Sequence, residues 1–468
     1  MSARATEAAR ARGAAGAPAP ANPLHAYLAA FERLKGGPKG CGRNWLCELR
    51  KEGFARFAEL GFPTTRDEEW KYTDVSAVAR LAFQPVLEPA PDGVTAAALR
   101  PFLIEGTSAR LVFVDGWYAP GLSSPAGLPQ GASAGSLAAA LAGGAEDLAG
   151  YLGRFAPHRS HAFAALNTAF LTDGALVRVP RGAVVERPIH LLFVSTAAAP
   201  SGAPPLASPR NLILAGTSSQ VAVVESYVGL ARGVYLTNAV TEIVAEDGAV
   251  VDHVKIQDES DKAFHFATLQ VQQGRASRFV SHAISFGAAL ARHDLNTVFT
   301  EEGGECALHG LYVAGGRQFV DNHTAIDHAR PHCTSRQLYK GVLDGKARAV
   351  FNGKVVVRPD AQKTDARQTN RNLVLSDETV VDSKPQLEIF ANDVKCAHGA
   401  TVGQVDKEAL FYLRSRGVAH EVARHLLTYA FAGEVLEELR PAPVREHVAR
   451  LLARRLPGGP AAGEAVPS

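Results

Sequence analysis

Apolar positions along this 468-residue chain change their spacing twice. Near the amino terminus they recur every three or four residues, first from Leu24 to Leu34 and then from Trp45 to Leu60. This spacing places them on one face of a helix. The stretch 136–155 is also predicted to be helical, although the two adjacent glycines at 143 and 144 weaken it.

A different pattern runs from about residue 174 to residue 403. Short runs rich in β-branched and aromatic residues follow one another, each bounded by Gly, Asp, Asn or Ser. So many successive strands predict an extended all-β architecture, either a β-helix or stacked sandwiches. Because no strict hexapeptide or nonapeptide repeat is visible, periodicity alone does not decide between these two architectures.

Helical spacing returns after this β region. Asp406 is predicted to cap the helix KEALFYLRSR, which we expect to end at Gly417, and Pro441 separates two further helices. In chain order, the predicted segments are a disordered tail (1–21), a mainly helical domain (22–155), a β core (156–403), a C-terminal helical domain (404–456) and a second disordered tail (457–468).

Composition excludes several classes of function. The 49 Lys and Arg residues nearly balance 47 Asp and Glu residues, which argues against a nucleic-acid partner. No apolar run reaches about eighteen residues and no secretory signal is visible, so we expect no membrane partner and a cytoplasmic location. Five sparse cysteines are predicted to be reduced thiols. The segment 341–347, GVLDGKA, lacks phosphate-loop spacing, so no nucleotide site is expected.

Histidines are concentrated in one part of the β region, with eight of the sixteen between His253 and His332. Imidazole suits zinc or iron, yet the spacing fits no closed zinc module. We therefore favour the interpretation that these histidines form hydrogen bonds on strand faces and turns.

Cys396 and His398 form a sharper candidate, because residues two apart on a strand point to the same face. A thiolate and an imidazole together can supply two ligands to a soft or borderline metal. Lys395 is expected to help lower the pKa of the thiol. Two ligands do not complete a site, and on spacing alone a buried structural cysteine beside a surface histidine is the favoured interpretation.

The C-terminal helices mix apolar and charged residues at helical spacing. They either cover the open end of the β region or form a docking face for a partner, and the sequence alone does not decide between these. The candidate docking residues are Phe411, Tyr412, Arg416, Phe431 and Glu434.

These motifs resemble a known family. Residues 383–439, which include NDVKCAHGATVGQ and LFYLRSRG, are similar to the C-terminal signature of the SufB/SufD family of iron–sulfur cluster assembly proteins. GFPTTRDEEWKYTDV, HTAIDH, SRQLYKGVL and AVFNGKVVV match in the expected order. The resemblance covers about residues 25–440 and is strongest to the SufD branch, since Leu413 occupies the position of a SufB cysteine.

The resemblance implies a right-handed parallel β-helix flanked by N-terminal and C-terminal helical domains. It also implies a non-catalytic scaffold subunit that pairs with SufB through the β-helix and docks the SufC ATPase through residues 404–456. A cysteine desulfurase and a sulfur acceptor would act on the complex indirectly. His398 matches a SufD histidine implicated at the site of iron or of a transient iron–sulfur cluster shared with SufB, and Cys396, which matches the neighbouring cysteine, is the auxiliary ligand. Whether a homodimer forms where SufB is absent stays open.

Two alternatives remain open at this point. A β-helix carbohydrate-active enzyme could use Asp321 and Asp327 as paired carboxylates. Alternatively, the chain is a purely structural subunit of the same complex.

Overall fold

The computed structural model describes residues 23–37, 44–89, 93–125, 127–198 and 202–457. The predicted tails, 1–21 and 457–468, lie outside the described residues, except for residue 457. The helices are α1 Pro23–Gly36, α2 Asn44–Leu60, α3 Ser76–Arg80, α4 Ala96–Leu99, α5 Leu137–Ala142, α6 Ala162–Ala169, α7 Lys407–Ser415, α8 His420–Glu437 and α9 Ala442–Arg455.

The strands are β1 Gln84–Pro85, β2 Ala109–Val114, β3 Trp117–Tyr118, β4 Ser133–Ser136, β5 Ala175–Val179, β6 Ile189–Ser195, β7 Pro205–Ala207, β8 Arg210–Ala215, β9 Gln220–Gly229, β10 Leu236–Ala245, β11 Val250–Asp258, β12 Phe264–Gln273, β13 Arg278–Ser285, β14 Leu290–Phe299, β15 Glu305–Ala314, β16 Phe319–His328, β17 Thr334–Leu343, β18 Arg348–Val357, β19 Asp365–Val374, β20 Val380–Ile389 and β21 Lys395–Gly403.

Two parallel sheets built from alternating strands form a β-helix. One sheet contains the even-numbered strands from β8 to β20, and the other contains the odd-numbered strands from β9 to β21; we call them the even sheet and the odd sheet. Each turn of the chain thus adds one strand to each sheet. The predicted fold class, a mainly β protein with a parallel β-helix between helical segments, is confirmed.

The turns of the β-helix differ in length, which hides them from a search for repeats. Gln220 pairs with Val250, Arg278 with Glu305, and Thr334 with Asp365, so these turns are 30, 27 and 31 residues long. Side chains nevertheless stack in register because the strands themselves stay aligned. A strict repeat is therefore absent from the sequence even though the structure repeats.

Alternate residues of every strand fill the interior. Val251, Phe279 and Cys306 occupy matching positions on three successive turns, and all are buried. Burying a large apolar side chain contributes about 1.5–3 kcal/mol, so such columns stabilise the β-helix strongly.

Helices cover the outer faces of both sheets, though not along their full length. Apolar residues of α1, α2 and α6 pack on the even sheet, where Phe163 stacks on Phe266 at 3.7 Å between ring centres. Apolar residues of α8 and α9 pack on the odd sheet around Val254 and Ile284. Neither layer covers the last turn, β20 and β21, which is left exposed.

The start of α7 agrees with the sequence prediction, whereas the helix expected over 136–155 does not. The Asp406 carboxylate accepts hydrogen bonds from the backbone N–H groups of Glu408 and Ala409 at 2.8 and 3.3 Å, which confirms the cap of α7. The single helix expected over 136–155 is wrong. There α5 ends before Gly143, and a separate 3₁₀ turn follows, because Gly144 adopts a positive φ of 95°.

The segment expected to be mainly helical, 22–155, also supplies β2 to the odd sheet beside β6 and β4 to the even sheet beside β5. Among the described cysteines, Cys306, Cys333 and Cys396 are free thiols. Cys47 is disulfide-bonded, which differs from the expectation of reduced thiols throughout. No helix in the described residues is long and apolar enough to cross a membrane.

Candidate functional site

The last turn of the β-helix, formed by β20 and β21, is its least buried part. Both strands lie at the ends of their sheets, so each has a neighbour on one side only within the described chain. No residue of β20 or β21 is fully buried, whereas most residues of β18 are. Exposed edge strands of this length are a template for pairing with another chain.

Cys396 and His398 both lie on β21, on the face that continues the interior of the β-helix. Cys396 pairs with Ala366 of β19, and His398 pairs with Gln368 two residues further on. Cys396 is half-buried and packs against the interior core, whereas His398 is exposed. The structure thus brings the predicted pair together at the rim of the open end.

The Cys396 thiol is not activated by its surroundings within this chain. Burial raises its pKa, a hydrogen bond from the backbone of Ala366 lowers it, and the charge of Asp365 raises it again, for a net increase. The expected effect of Lys395 is therefore wrong: the charge that acts on the thiol is the carboxylate of Asp365. A metal ion, or a cation from a partner, would be needed to favour the thiolate at neutral pH.

The pair does not form a complete metal site. Among the described residues, no group of three or more His, Cys, Asp and Glu side chains is arranged to hold a metal ion. Gln368, the neighbour of His398, donates a hydrogen bond to Gln337 at 2.7 Å, and Gln337 donates to Thr324 at 2.6 Å. This chain of amides runs along the interior up to His398, and nothing in the spacing of the sequence pointed to it.

Some histidines of the histidine-rich region form the hydrogen bonds that were predicted for them. His253 bonds to the Ser281 hydroxyl at 3.1 Å, and His328 bonds to Ser335 at 2.9 Å. His265 lies 2.7 Å from the Glu259 carboxylate, fully inside the β-helix. These groups belong to the closed interior, far along the chain from the exposed last turn.

The candidate docking residues divide into two groups. Phe411 and Tyr412 on α7 are 73% and 57% exposed, and the Arg416 guanidinium lies 5.1 Å from the Tyr412 ring. Phe431 and Glu434 on α8 instead contact the β-helix.

Lys340 of β17 is the residue that these two α8 residues hold. Its ammonium group pairs with the Glu434 carboxylate and lies 4.4 Å from the centre of the Phe431 ring. These contacts fix α8 on the odd sheet.

The two carboxylates of the carbohydrate-enzyme alternative do not form a catalytic pair. Asp321 is buried, with its carboxylate bonded to Arg292 at 2.8 Å and to the Thr73 hydroxyl at 2.5 Å. Asp327 pairs with Arg358 at 2.8 Å. Six residues apart on one strand, the two are about 20 Å apart, well beyond the separation of roughly 5–9.5 Å in glycosidases. Asp321 instead holds the N-terminal segment on the even sheet.

With this geometry in place, comparison with known families identifies the class of protein. The profile described as "SUF system FeS cluster assembly, SufBD core domain" matches residues 196–431, and the "SufBD protein N-terminal region" matches residues 25–191. The first match contains the β-helix strands from β7 to β21, including Cys396 and His398. The chain belongs to the SufBD family of iron–sulfur cluster assembly proteins.

Relatives resemble the chain over most of its length. A SufBD family iron–sulfur cluster assembly protein of Synechocystis is 38% identical over 404 residues, which is 85% of this chain and 88% of that one. The iron–sulfur cluster assembly protein SufD of Escherichia coli is 33% identical over 85% of this chain and 90% of its own. The Arabidopsis thaliana protein ABCI7, chloroplastic, is 30% identical over 87% and 86%.

Proposed function

We propose that the protein is a SufD-like, non-catalytic subunit of a scaffold formed with SufB and the SufC ATPase, on which an iron–sulfur cluster is assembled in the cytoplasm. The observation that carries this proposal is the position of Cys396 and His398 together on β21, at an open sheet edge. A site with two ligands at an edge can be completed by a second chain. The chain also lacks a phosphate-loop motif, so the energy of ATP would come from a partner.

In this proposal iron and sulfide are cargo shared with SufB. His398 is exposed and is the first ligand available to entering iron, while the half-buried Cys396 becomes a ligand once the metal displaces its proton. SufB supplies the remaining ligands, and sulfur arrives through the desulfurase and sulfur acceptor that serve it.

The test uses the complex reconstituted with SufB and SufC. A Cys396→Ser, His398→Ala double variant should lower the yield of assembled cluster at least tenfold, measured by its visible absorbance. His25→Ala is a matched control, because it removes an exposed histidine from α1. Normal assembly by the double variant in intact complexes would favour a purely structural subunit.

Pairing with SufB is proposed to use the open edges of β20 and β21. Val402 on β21 is 53% exposed although its position faces the interior in earlier turns, so another strand could cover it. A charge introduced there by Val402→Lys should block edge pairing. Sedimentation of mixtures with SufB should then show separate chains, while Val234→Lys, at an exposed position elsewhere, should leave the complex intact. Without SufB, the same edges would pair two copies of the chain.

SufC is proposed to dock on the C-terminal helices, mainly on Phe411, Tyr412 and Arg416. Phe431 and Glu434 lie behind this face and hold α8 in position. Exposed aromatic residues beside an arginine are typical of the residues that dominate binding energy. Phe411→Ala with Tyr412→Ala should weaken SufC binding about 30-fold or more. Leu28→Ala with Leu60→Ala, which trims exposed apolar side chains on α1 and α2, should not.

A further inference from the structure

A cleft at the start of β2 is lined by three arginines and has no part in the proposed function. Its volume is about 600 Å³, within the usual range of ligand pockets. Arg100 follows α4, Arg110 belongs to β2, and Arg187 precedes β6. Three separate segments of the chain therefore bring guanidinium groups to one cavity.

The charges of these arginines are not neutralised. Within the described residues, none of the three side chains forms a hydrogen bond or an ion pair, and the Nε of Arg110 is buried without a partner. Glu105 is the one carboxylate in the lining, so three positive groups face one negative group. A buried donor without an acceptor costs about 1–3 kcal/mol, which an anion bound there would recover.

Two buried histidines, His190 and His447, are also held neutral by burial and by nearby positive charge, and for His190 that charge includes Arg110 of the cleft. The pKa of His190, which pairs in register with Arg110, falls to about 3 through burial and then through the charges of His447 and Arg110. The pKa of His447 falls to about 4 through burial and then through Arg450 and Arg454. No carboxylate in the described chain offsets these effects.

We propose that this cleft binds a phosphate-bearing small molecule, with Arg110 at its floor and Arg100 and Arg187 at its mouth. Arg110 is half-buried, and the other two are exposed. Guanidinium groups match phosphate oxygens with paired, charge-assisted hydrogen bonds. Hydroxyl groups of Thr107, Ser108 and Ser124 line the same cavity, and they suit an oxygen-rich ligand better than an apolar one.

Inorganic phosphate groups and the terminal phosphates of a nucleotide share this chemistry. The cleft is concave and small, which favours a compact anion over an acidic segment of a protein.

The cleft also adjoins the C-terminal helices. Gly106 in its lining approaches Pro443 of α9 so closely that an added Cβ would lie 3.5 Å from the proline ring. Ile104, another lining residue, belongs to the apolar cluster of α8 and α9. A bound ligand would thus stabilise the contact between the N-terminal segment and these helices.

The experiment measures binding to the purified full chain by calorimetry, with pyrophosphate, ATP and hexaglutamate as separate probes. We expect saturable binding of one equivalent of pyrophosphate or ATP; whichever binds more tightly identifies the source of the phosphate. Arg100→Ala with Arg187→Ala should weaken this binding at least tenfold, and so should Arg110→Gln, which removes the charge but keeps a polar side chain. The melting temperature of the wild-type chain should rise on addition of the ligand.

Arg232→Ala with Arg317→Ala is the matched control, because it removes two exposed, unpaired arginines and the same total charge from outside the cleft. It should leave binding unchanged. Failure of both phosphate probes to bind, equal loss in the control, or binding of hexaglutamate alone would overturn the proposal. The circular dichroism of each variant shows that a loss of binding is not a loss of folding.

Discussion

The first and last turns of the β-helix share one backbone plan but place their charged side chains in opposite environments. In an early turn, Arg210 and Glu242 form an ion pair at 2.6 Å with both side chains fully buried. At the last turn, Lys354 and Glu388 form a pair of similar length at 2.7 Å, with both side chains more than a third exposed. The early turns are therefore built for stability, and the last turn is left free to contact other molecules.

The largest expected effect is on the buried pair. Arg210→Ala would leave the Glu242 carboxylate buried with only backbone N–H donors, such as Phe155 at 3.1 Å and Ala156 at 3.0 Å. Breaking a buried pair in this way costs about 3–5 kcal/mol, whereas Lys354→Ala should cost at most about 1 kcal/mol. The free energy of unfolding in urea measures both. Equal costs would show that the early turns do not depend on their buried charges.

Aromatic residues should show the same contrast. Phe351 on β18 is fully buried, and Phe351→Ala should lower the free energy of unfolding by about 3–5 kcal/mol. Phe390 follows β20 and is 61% exposed, so Phe390→Ala should change it by no more than about 0.5 kcal/mol. Denaturant titrations of the two variants measure these changes. A large decrease in the free energy of unfolding from Phe390→Ala would mean that the last turn is packed within the chain itself.

The stability of the folded chain is expected to depend on pH through His282, which is buried beneath the C-terminal helices. Burial, and then the charges of His309 and His253, lower its pKa to about 3 in the folded chain. Between about pH 6.5 and pH 4 the unfolded chain takes up a proton at this residue and the folded chain does not. The contribution of His282 to the free energy of unfolding is therefore complete above about pH 6.5. It falls by about 1.4 kcal/mol per pH unit as the pH drops below that value.

A His282→Asn variant should remove that contribution. The difference between the free energies of unfolding of wild type and variant should shrink as the pH falls from 6.5 to 4. Ile284→Val, a change that cannot titrate, should keep a constant difference over the same range. A constant difference for His282→Asn would mean that His282 is not held neutral in the folded chain.

The smallest effect on stability is expected at the candidate site itself. Cys396→Ser with His398→Ala should change the free energy of unfolding by about 0.5 kcal/mol or less, because His398 is exposed and Cys396 is only half-buried. Thermal and urea unfolding of the isolated chain measure this. A loss of several kcal/mol would assign the pair to the framework of the β-helix.

Local patterns predicted the elements but not their long-range contacts. Short runs rich in β-branched and aromatic residues predicted the strands, and Asp406 predicted the start of α7, because these signals depend on near neighbours. The unequal turn lengths hid the β-helix from any repeat search, and the family resemblance supplied it instead. Placing Cys396 and His398 on one face needed only the two-residue period of a strand.

Contacts between distant residues could not be inferred in this way. Glu434 looked available to a partner until Lys340, 94 residues away, was seen to hold it. Arg100, Arg110 and Arg187 share no motif, and only the fold brings them to one cleft. Asp365, on the neighbouring turn, raises the pKa of the Cys396 thiol, whereas Lys395, adjacent in sequence, had been expected to lower it.

The most direct test of the proposed site is a titration of the SufB–SufC complex of this chain with ferrous iron, without oxygen. The wild-type complex and the His25→Ala control should bind iron with the same affinity and stoichiometry. The Cys396→Ser, His398→Ala complex should lose this binding or weaken it at least tenfold while its subunits remain associated. Unchanged iron binding by that intact complex would contradict the proposal that the open end of the β-helix holds the metal.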